Sequence, residues 1–358
     1  MPSLKEIKGR INSISSTLAI TSAMKMVAAA KLQKAQMAIQ NMLPYERRLH
    51  SMLIDLMGAM NISAAASEDG SVRGSGSAER GFDQSGDRLS LSNRHDLAGM
   101  DGAYSLMAQR EVRKVAIVAF ASNSSLCGAF NSNVIREATA VINEYRASGL
   151  GDADITVYSV GRKMAEAMKK LGFPSPADFT KMSDSPSYDA ASALAQELLD
   201  GFVSGRFDKV ELVYNHYKST SSQPTIRQTY LPLSLADATA DLQAGKIADS
   251  ASESDTNRGA EPVGAPVVRQ GSPTTEDLIV EPSKEELIAT LLPKVVRLRV
   301  FTTLLDSTAA EQAARTVAMQ LATDNGNDLL QELTLEYNKG RQQKITSEIL
   351  DLVGGSMQ

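Results

Sequence analysis

Residues that usually carry chemistry are scarce in this chain of 358 residues, which has one cysteine and three histidines. A lone cysteine excludes an internal disulfide framework. His50, His95 and His216 stand far apart, with neither an HExxH spacing nor a cysteine pair beside them. They signal no metal site and read as ordinary surface or interface residues. No window approaches the roughly 18 apolar residues that a membrane span needs. The chain opens directly into a helical pattern carrying Glu6, without a secretory or transit signature, and is expected to be soluble in a reducing compartment. A net charge of −5 argues against nucleic-acid binding. The GxxxxGK[ST] loop that cradles phosphates is missing, and Gly74-x-Gly76 lacks a third glycine. Cys127 follows a strand pattern without a histidine in recognisable context, so a packed, inert thiol is expected. No catalytic residue, metal or cofactor is predicted.

What the chain does have is two long helical stripes, one at each end. Leu4, Ile7, Ile11, Ile14, Leu18, Thr21, Lys25, Ala28, Leu32, Ala35, Ile39, Met42, Glu46, Leu49, Leu53, Leu56 and Met60 step by alternating three and four. Only Thr21, Lys25 and Glu46 in that series are polar, a coiled-coil pattern. Pro44 lies inside it and predicts a kink or a fresh helix start. From Ser283 to Gln358 a second stripe runs through Leu291, Val295 and Leu298, then Leu330, Leu333 and Tyr337, and closes with Ile345, Ile349 and Leu352. Ser283 with Glu286 marks its start as a capping box. A helix of this length reaches roughly 100 Å at about 1.5 Å per residue and needs a partner helix. The two stripes predict an antiparallel pair. Alanines crowd the middle of both, Ala28–Ala30 in one and Ala309, Ala310, Ala313, Ala314, Ala318 and Ala322 in the other, so a thin rod is expected there. Residues 1–48 carry eight basic side chains against Glu6 and Glu46, a balance of +6 that suits an acidic partner.

Five segments follow: an N-terminal coiled-coil helix (1–60), a polar insertion (61–110), an α/β domain (111–235), an acidic insertion (236–277) and a C-terminal coiled-coil helix (278–358). The insertions are rich in Ser, Gly and Asp and poor in large aliphatics, and read as loop rather than core. Between them, strand patterns at 114–120, 155–160, 209–215 and 225–231 alternate with helical patterns at 133–148, 162–171 and 188–203. The last two strands are close enough in sequence to pair antiparallel. Leu278–Val280 are read as regaining order before Pro282 and Ser283. The fold class is α/β: a long coiled coil of the terminal helices plus a Rossmann-like domain.

Four stretches resemble the gamma subunit of F-type ATP synthase: Leu4–Leu32, Ser124–Asn133, Tyr214–Leu233 and Ala310–Gly355, the last ending ITSEILDLVGG. The similarity covers everything but the two insertions. It implies a central rotary shaft that turns inside a ring of alpha and beta subunits and is driven at its foot by the membrane c-ring. Epsilon and delta subunits, one copy per complex and a peripheral place on the cytoplasmic face of a bacterial plasma membrane are implied with it. By motif match, Met24 and Lys25 meet acidic beta-subunit loops near the same collar as Arg315, Arg341, Gln342 and Thr346, which contact those loops or the ring. Asn123, Ser124 and Ser125 stand where the family usually has an acidic, a basic and a glycine residue, and Asp351 where glutamate is common. The insertions hold no cysteine, so the redox switch of chloroplast gamma subunits is not carried over. On periodicity alone, a non-rotary scaffold or adaptor carrying an α/β binding module fits as well. The run Asn338–Lys344, without a large apolar side chain, separates the two, because a passive coiled coil would keep its seam apolar there.

Overall fold

The structure, a computed structural model, describes residues 3–68, 106, 110–233 and 283–355. Helix α1 (Leu4–Glu68) and the last helix, α6 (Lys284–Gly355), pair antiparallel. Both start on the same signature. The Ser3 and Ser283 hydroxyl oxygens each accept the backbone N–H three residues on, from Glu6 and Glu286, at 3.2 Å. From Leu4 to Thr21 every expected seam residue of α1 is buried or half-buried, and every residue between is exposed. Facing them on α6, Thr323, Gly326, Leu330, Leu333 and Tyr337 keep the same three-four step.

The register is fixed by close approaches. Leu4 lies against Gly340, Leu18 against Gly326, and the hydroxyls of Thr21 and Thr323 are 3.3 Å apart. A Cβ on Gly326 would come within 2.6 Å of Leu18 Cδ2 and 3.1 Å of its Cγ. The leucine is a flexible neighbour, so Gly326→Ala forces a rotamer change while removing a helix-interior glycine that costs about 1 kcal/mol. These terms oppose each other. Thermal unfolding of Gly326→Ala is expected to differ from wild type by less than about 1 kcal/mol.

Two expectations about α1 are corrected. The helix does not start afresh at Pro44 but continues through it, as α6 does through Pro293. It also runs on to Glu68, past the boundary expected at residue 60, because Ala64–Ala66 are strong helix formers. Residues 69–105 and 107–109 of the first insertion, all of the second, and Leu278–Val280 lie outside the described residues.

Between the rod helices are β1 (Val115–Phe120), α2 (Phe130–Ala147), β2 (Ile155–Val160), α3 (Arg162–Lys170), α4 (Thr180–Asp184), α5 (Tyr188–Val203), β3 (Lys209–Asn215) and β4 (Thr225–Leu231). The sheet order is β2-β1-β3-β4, with the first three parallel and β4 antiparallel at the edge, as its spacing predicted. All six residues of β1 are buried, as a central parallel strand covered on both faces requires. Val115, Ile117 and Ala119 pack with residues of α2 and α3 on one face. Ala116, Val118 and Phe120 face the other way, into a core shared with α5 and with the rod itself.

That second core joins domain and rod. It contains Leu49, Leu53 and Leu56 of α1 and Ile288, Leu292, Val295 and Val296 of α6. Each buried aliphatic contributes roughly 1.5–3 kcal/mol, so the base of the rod serves as the third layer of the α/β domain. Tyr230 adds a buried bond, its hydroxyl donating to the Val296 carbonyl at 3.0 Å. Leu106, placed by the sequence in a polar insertion, is 3% exposed in this same core, and its carbonyl accepts the Leu233 N–H at 2.9 Å. The alanine run of α6 has two neighbours rather than one. Ala309 and Ala313 meet Leu32 and Ala35 of α1, while Ala310 meets Cys127 and Phe130 of the domain.

Candidate functional site

The rod ends in a bare tip. Since α1 begins level with Gly340, the rest of α6 extends past it by about 15 residues, or roughly 22 Å. Every residue from Arg341 to Val353 is exposed. Ile345, Ile349 and Leu352, expected to close a buried seam, are 48%, 55% and 74% exposed, since they lie past the level of Leu4, where helix α1 starts. Arg341 and Gln342 form the first turn of the tip. Thr346 donates its hydroxyl to the Gln342 carbonyl at 2.9 Å, and Lys344 lies 3.7 Å from Glu348. An exposed apolar stripe interleaved with donors is a contact surface by composition. Where the tip leaves α1, an open hollow of about 600 Å³ is lined by Leu4, Ile7, Glu336, Lys339, Gln343 and Lys344.

Met24 and Lys25 lie elsewhere. The register sets Lys25 level with Met319, roughly 33 Å along the axis from Arg341, so the two sets lie well apart on the rod. Met24 is exposed and lines up with Ile20 and Val27 at helical spacing, whereas Lys25 is half-buried on the seam.

Arg315 is engaged inside the chain. Its guanidinium donates to the Ser125 carbonyl at 2.7 Å, the Ser124 hydroxyl at 2.9 Å and Glu311 Oε1 at 2.8 Å. Burial pushes the Glu311 carboxyl above its ordinary range, with Arg315 pulling the other way. The serines that replace the family's usual loop residues are thus the ones that tie the loop to α6. Leu126, next in that loop, is exposed with a positive φ of 69°. Cys127 is buried, with Asn131 Nδ2 3.2 Å from its sulfur, in keeping with a packed thiol.

In doubly wound folds, ligands enter at the carboxyl ends of the strands. Here Asn123 bridges that edge, donating to the Thr180 carbonyl at 2.7 Å and accepting the Arg162 N–H at 2.8 Å. Ser183 donates to the Ala121 carbonyl at 3.0 Å, and Asn131 accepts the Ser122 N–H at 3.0 Å. Two backbone N–H groups at this edge, those of Arg162 and Ser122, are thus taken by the chain's own side chains.

Two charged clusters escaped the sequence reading. Glu211 on β3 is 1% exposed and receives Arg227 Nε at 2.7 Å, Lys209 Nζ at 2.7 Å and the Tyr145 hydroxyl at 2.6 Å. Burial alone would push its carboxyl up, but these three donors outweigh it and hold it below the ordinary range. A carboxylate depressed in this way stabilises the fold above its unfolded pKa, and that contribution disappears as pH falls through the lower folded value. Glu211→Ala is expected to cost about 3 kcal/mol near neutral pH by leaving Lys209 without its carboxylate and Arg227 with Glu144 alone, with the loss shrinking in acid. Denaturant unfolding of both chains at several pH values measures it. The second cluster joins His216 and Asp306, at 2.6 Å. His216 is therefore an interface residue, while His50 is buried rather than on the surface. Residues 90 apart in sequence leave no local signal of such a pair.

Among the described residues, no group of three His, Cys, Asp or Glu side chains could hold a metal, and no helix is long and apolar enough to cross a membrane. A two-helix rod with an α/β base built into it and a bare tip beyond it defines a shaft-like subunit. The ATP synthase family model matches residues 3–357. The ATP synthase gamma chain of Phocaeicola vulgatus is 46% identical over 357 residues, with 100% of each chain covered. That of Flavobacterium johnsoniae is 36% identical over 356 residues, covering 99% of this chain and 98% of the other. The fold matches a chain in the Euglena gracilis mitochondrial ATP synthase, described as OSCP/F1/c-ring, with a TM-score of 0.54 at 19% identity, covering 99% of this chain and 93% of that one. The chain belongs to the ATP synthase gamma-chain family and is a non-catalytic subunit, the central shaft.

Proposed function

We propose that the tip of α6 enters a collar of alpha and beta subunits while the α/β base meets the membrane c-ring, so that ion flow turns the shaft and the shaft sets the state of each catalytic subunit. The observation that carries this is the single-helix tip beyond Gly340, with Arg341 and Gln342 exposed above an open apolar stripe. A lone helix presents a different face to each subunit around it, and a partner's conformations shift only when they are bound unequally. Arg341, Gln342 and Thr346 are the contact residues of the tip. Met24 and Lys25 form a second contact lower on the rod, where exposed Lys31 and Lys34 also favour an acidic partner. Arg315 supports the contacts indirectly, by fixing the 124–125 loop on α6. Epsilon and delta subunits complete the assembly, which holds one copy of this chain as a peripheral component on the cytoplasmic face of the bacterial plasma membrane. Affinity purification of the tagged chain from detergent-solubilised membranes tests the reading. Alpha, beta and c subunits are expected in the eluate, and their consistent absence would refute it.

A further inference from the structure

Beside the apolar core shared by rod and domain lies a short polar chain that ties three elements together. β3 ends at Asn215, and the next two residues both reach the same carboxylate of α6. His216 Nδ1 lies 2.6 Å from Asp306 Oδ2, and the Tyr217 backbone N–H donates to Asp306 Oδ1 at 2.9 Å. Gln36 of α1 then donates its amide to the Tyr217 hydroxyl at 2.7 Å. The His216 N–H is held by the Pro224 carbonyl at 2.9 Å, which anchors the start of the chain to the segment leading into β4. Around this height the two helices also meet through Leu32 and Ala35 against Ala309 and Ala313, and about one turn further along Thr302 donates its hydroxyl to Glu46 Oε1 at 3.0 Å. Apolar packing holds base and rod together without specifying the geometry of any one pair of groups. Hydrogen bonds do have direction.

We propose that Asp306 is a positioning residue of rotary coupling: it locks the α/β base to both helices of the shaft, so that base and shaft turn without slip, and the lock is tightest when His216 is protonated. The inference rests on the central-shaft reading. Two charged groups act on the His216 imidazole, the Asp306 carboxylate from α6 and, opposing the charge, Lys218 from its own loop. From α1 the neutral Gln36 amide reaches the joint through Tyr217, and the Pro224 carbonyl holds the His216 backbone N–H. The hydrogen bond to Asp306 holds the imidazole above the ordinary histidine range, against the effects of burial and Lys218. A histidine raised in this way tightens the joint fully below its unfolded value of about 6.5, and the gain fades as pH rises through the folded value. The fold does not depend on this pair alone, because Arg315 holds the neighbouring loop on α6 independently.

The test uses the whole complex in inverted membrane vesicles, reading ions pumped per ATP hydrolysed and normalising to assembled complex. At about pH 6, Asp306→Asn is expected to pump several-fold fewer ions per ATP, and Asp306→Glu, which keeps the charge, to recover most of the loss. Toward about pH 8.5 the gap between Asp306→Asn and wild type should narrow, since the wild-type imidazole progressively loses its proton. His216→Gln removes the titration and should flatten the pH dependence of the ratio. A purely structural role would lower the amount of complex and leave the ratio alone. Wild-type ratios in Asp306→Asn at both pH values would overturn the proposal, whereas a wild-type complex that pumps nothing would count against the shaft reading instead. Should Asp306→Asn fail to assemble, NMR titration of the histidines in the full-length chain decides. His216 is expected to bind its proton more weakly in Asp306→Asn, and an unchanged midpoint would overturn the joint.

Discussion

Replacing Gly161 with alanine is expected to abolish stable folding of the α/β domain. Gly161 ends β2 and caps α3 with φ of +96°, a region that residues with a Cβ rarely adopt. The added carbon would sit 2.0 Å from the Ala121 carbonyl oxygen and 2.8 Å from its carbon. Both are backbone atoms at the end of the central strand, fixed by the Ala121 N–H bond to Val160 at 2.8 Å and by the Ser183 hydroxyl. Neither can move without separating β1 from β2. Strain at such a φ alone costs of order 1–3 kcal/mol, and the clash adds to it. A total above about 4 kcal/mol is a large share of the 5–15 kcal/mol that stabilises an ordinary domain. Circular dichroism of the purified chain should show helicity retained in the part of the rod beyond the shared core, with the strand signal and the cooperative thermal transition of the domain lost. A wild-type transition temperature would mean that the β1–β2 edge relaxes in a way that this packing forbids.

The largest functional loss is expected at the tip. Arg341→Ala combined with Gln342→Ala removes donors that have no structural role within the chain's core, since both residues are exposed beyond the end of α1. On a merely solvated surface such changes would alter stability by no more than about 0.5 kcal/mol and leave turnover intact. If they grip the catalytic subunits, each lost charge-assisted bond costs roughly 1.5–3 kcal/mol at the step where the shaft forces a conformation. The guanidinium can hold a carboxylate through two bonds at once, so it carries the larger part. Ion-driven ATP synthesis in vesicles, normalised to assembled complex, should fall several-fold while the α/β domain stays folded. Unchanged synthesis would remove both residues from the contact set.

The seam of the rod was legible because heptad spacing is a property of neighbours in sequence. Leu4, Ile7, Ile11, Ile14, Leu18 and Thr21 are the less exposed residues of their stretch, as their spacing required. The strands were legible for the same reason, and β2 and α5 run between the residues that their patterns marked. Periodicity was silent about which helix covers which stripe. Ile345, Ile349 and Leu352 continue the pattern of Leu330, Leu333 and Tyr337, yet α1 covers only the earlier set. The difference lies in register, which Gly326 and Gly340 set by letting Leu18 and Leu4 approach. Composition misled at Leu106, a single aliphatic in a polar neighbourhood that reaches the core through contacts distant in sequence. Arg315 matched a family motif for outward contact, but Ser124 and Ser125 bind it inside. The joint at Asp306 depends on partners 89 and 90 residues away, so only the fold brings it together.

Direct observation of rotation tests the shaft reading most closely. With the catalytic collar fixed to a surface and a bead attached to the α/β base of this chain, added Mg-ATP should turn the bead continuously in one sense. Rotation should stop when ATP is exhausted or the catalytic sites are blocked. A complex that hydrolyses ATP at its full rate while this chain stays still relative to the collar would contradict the account.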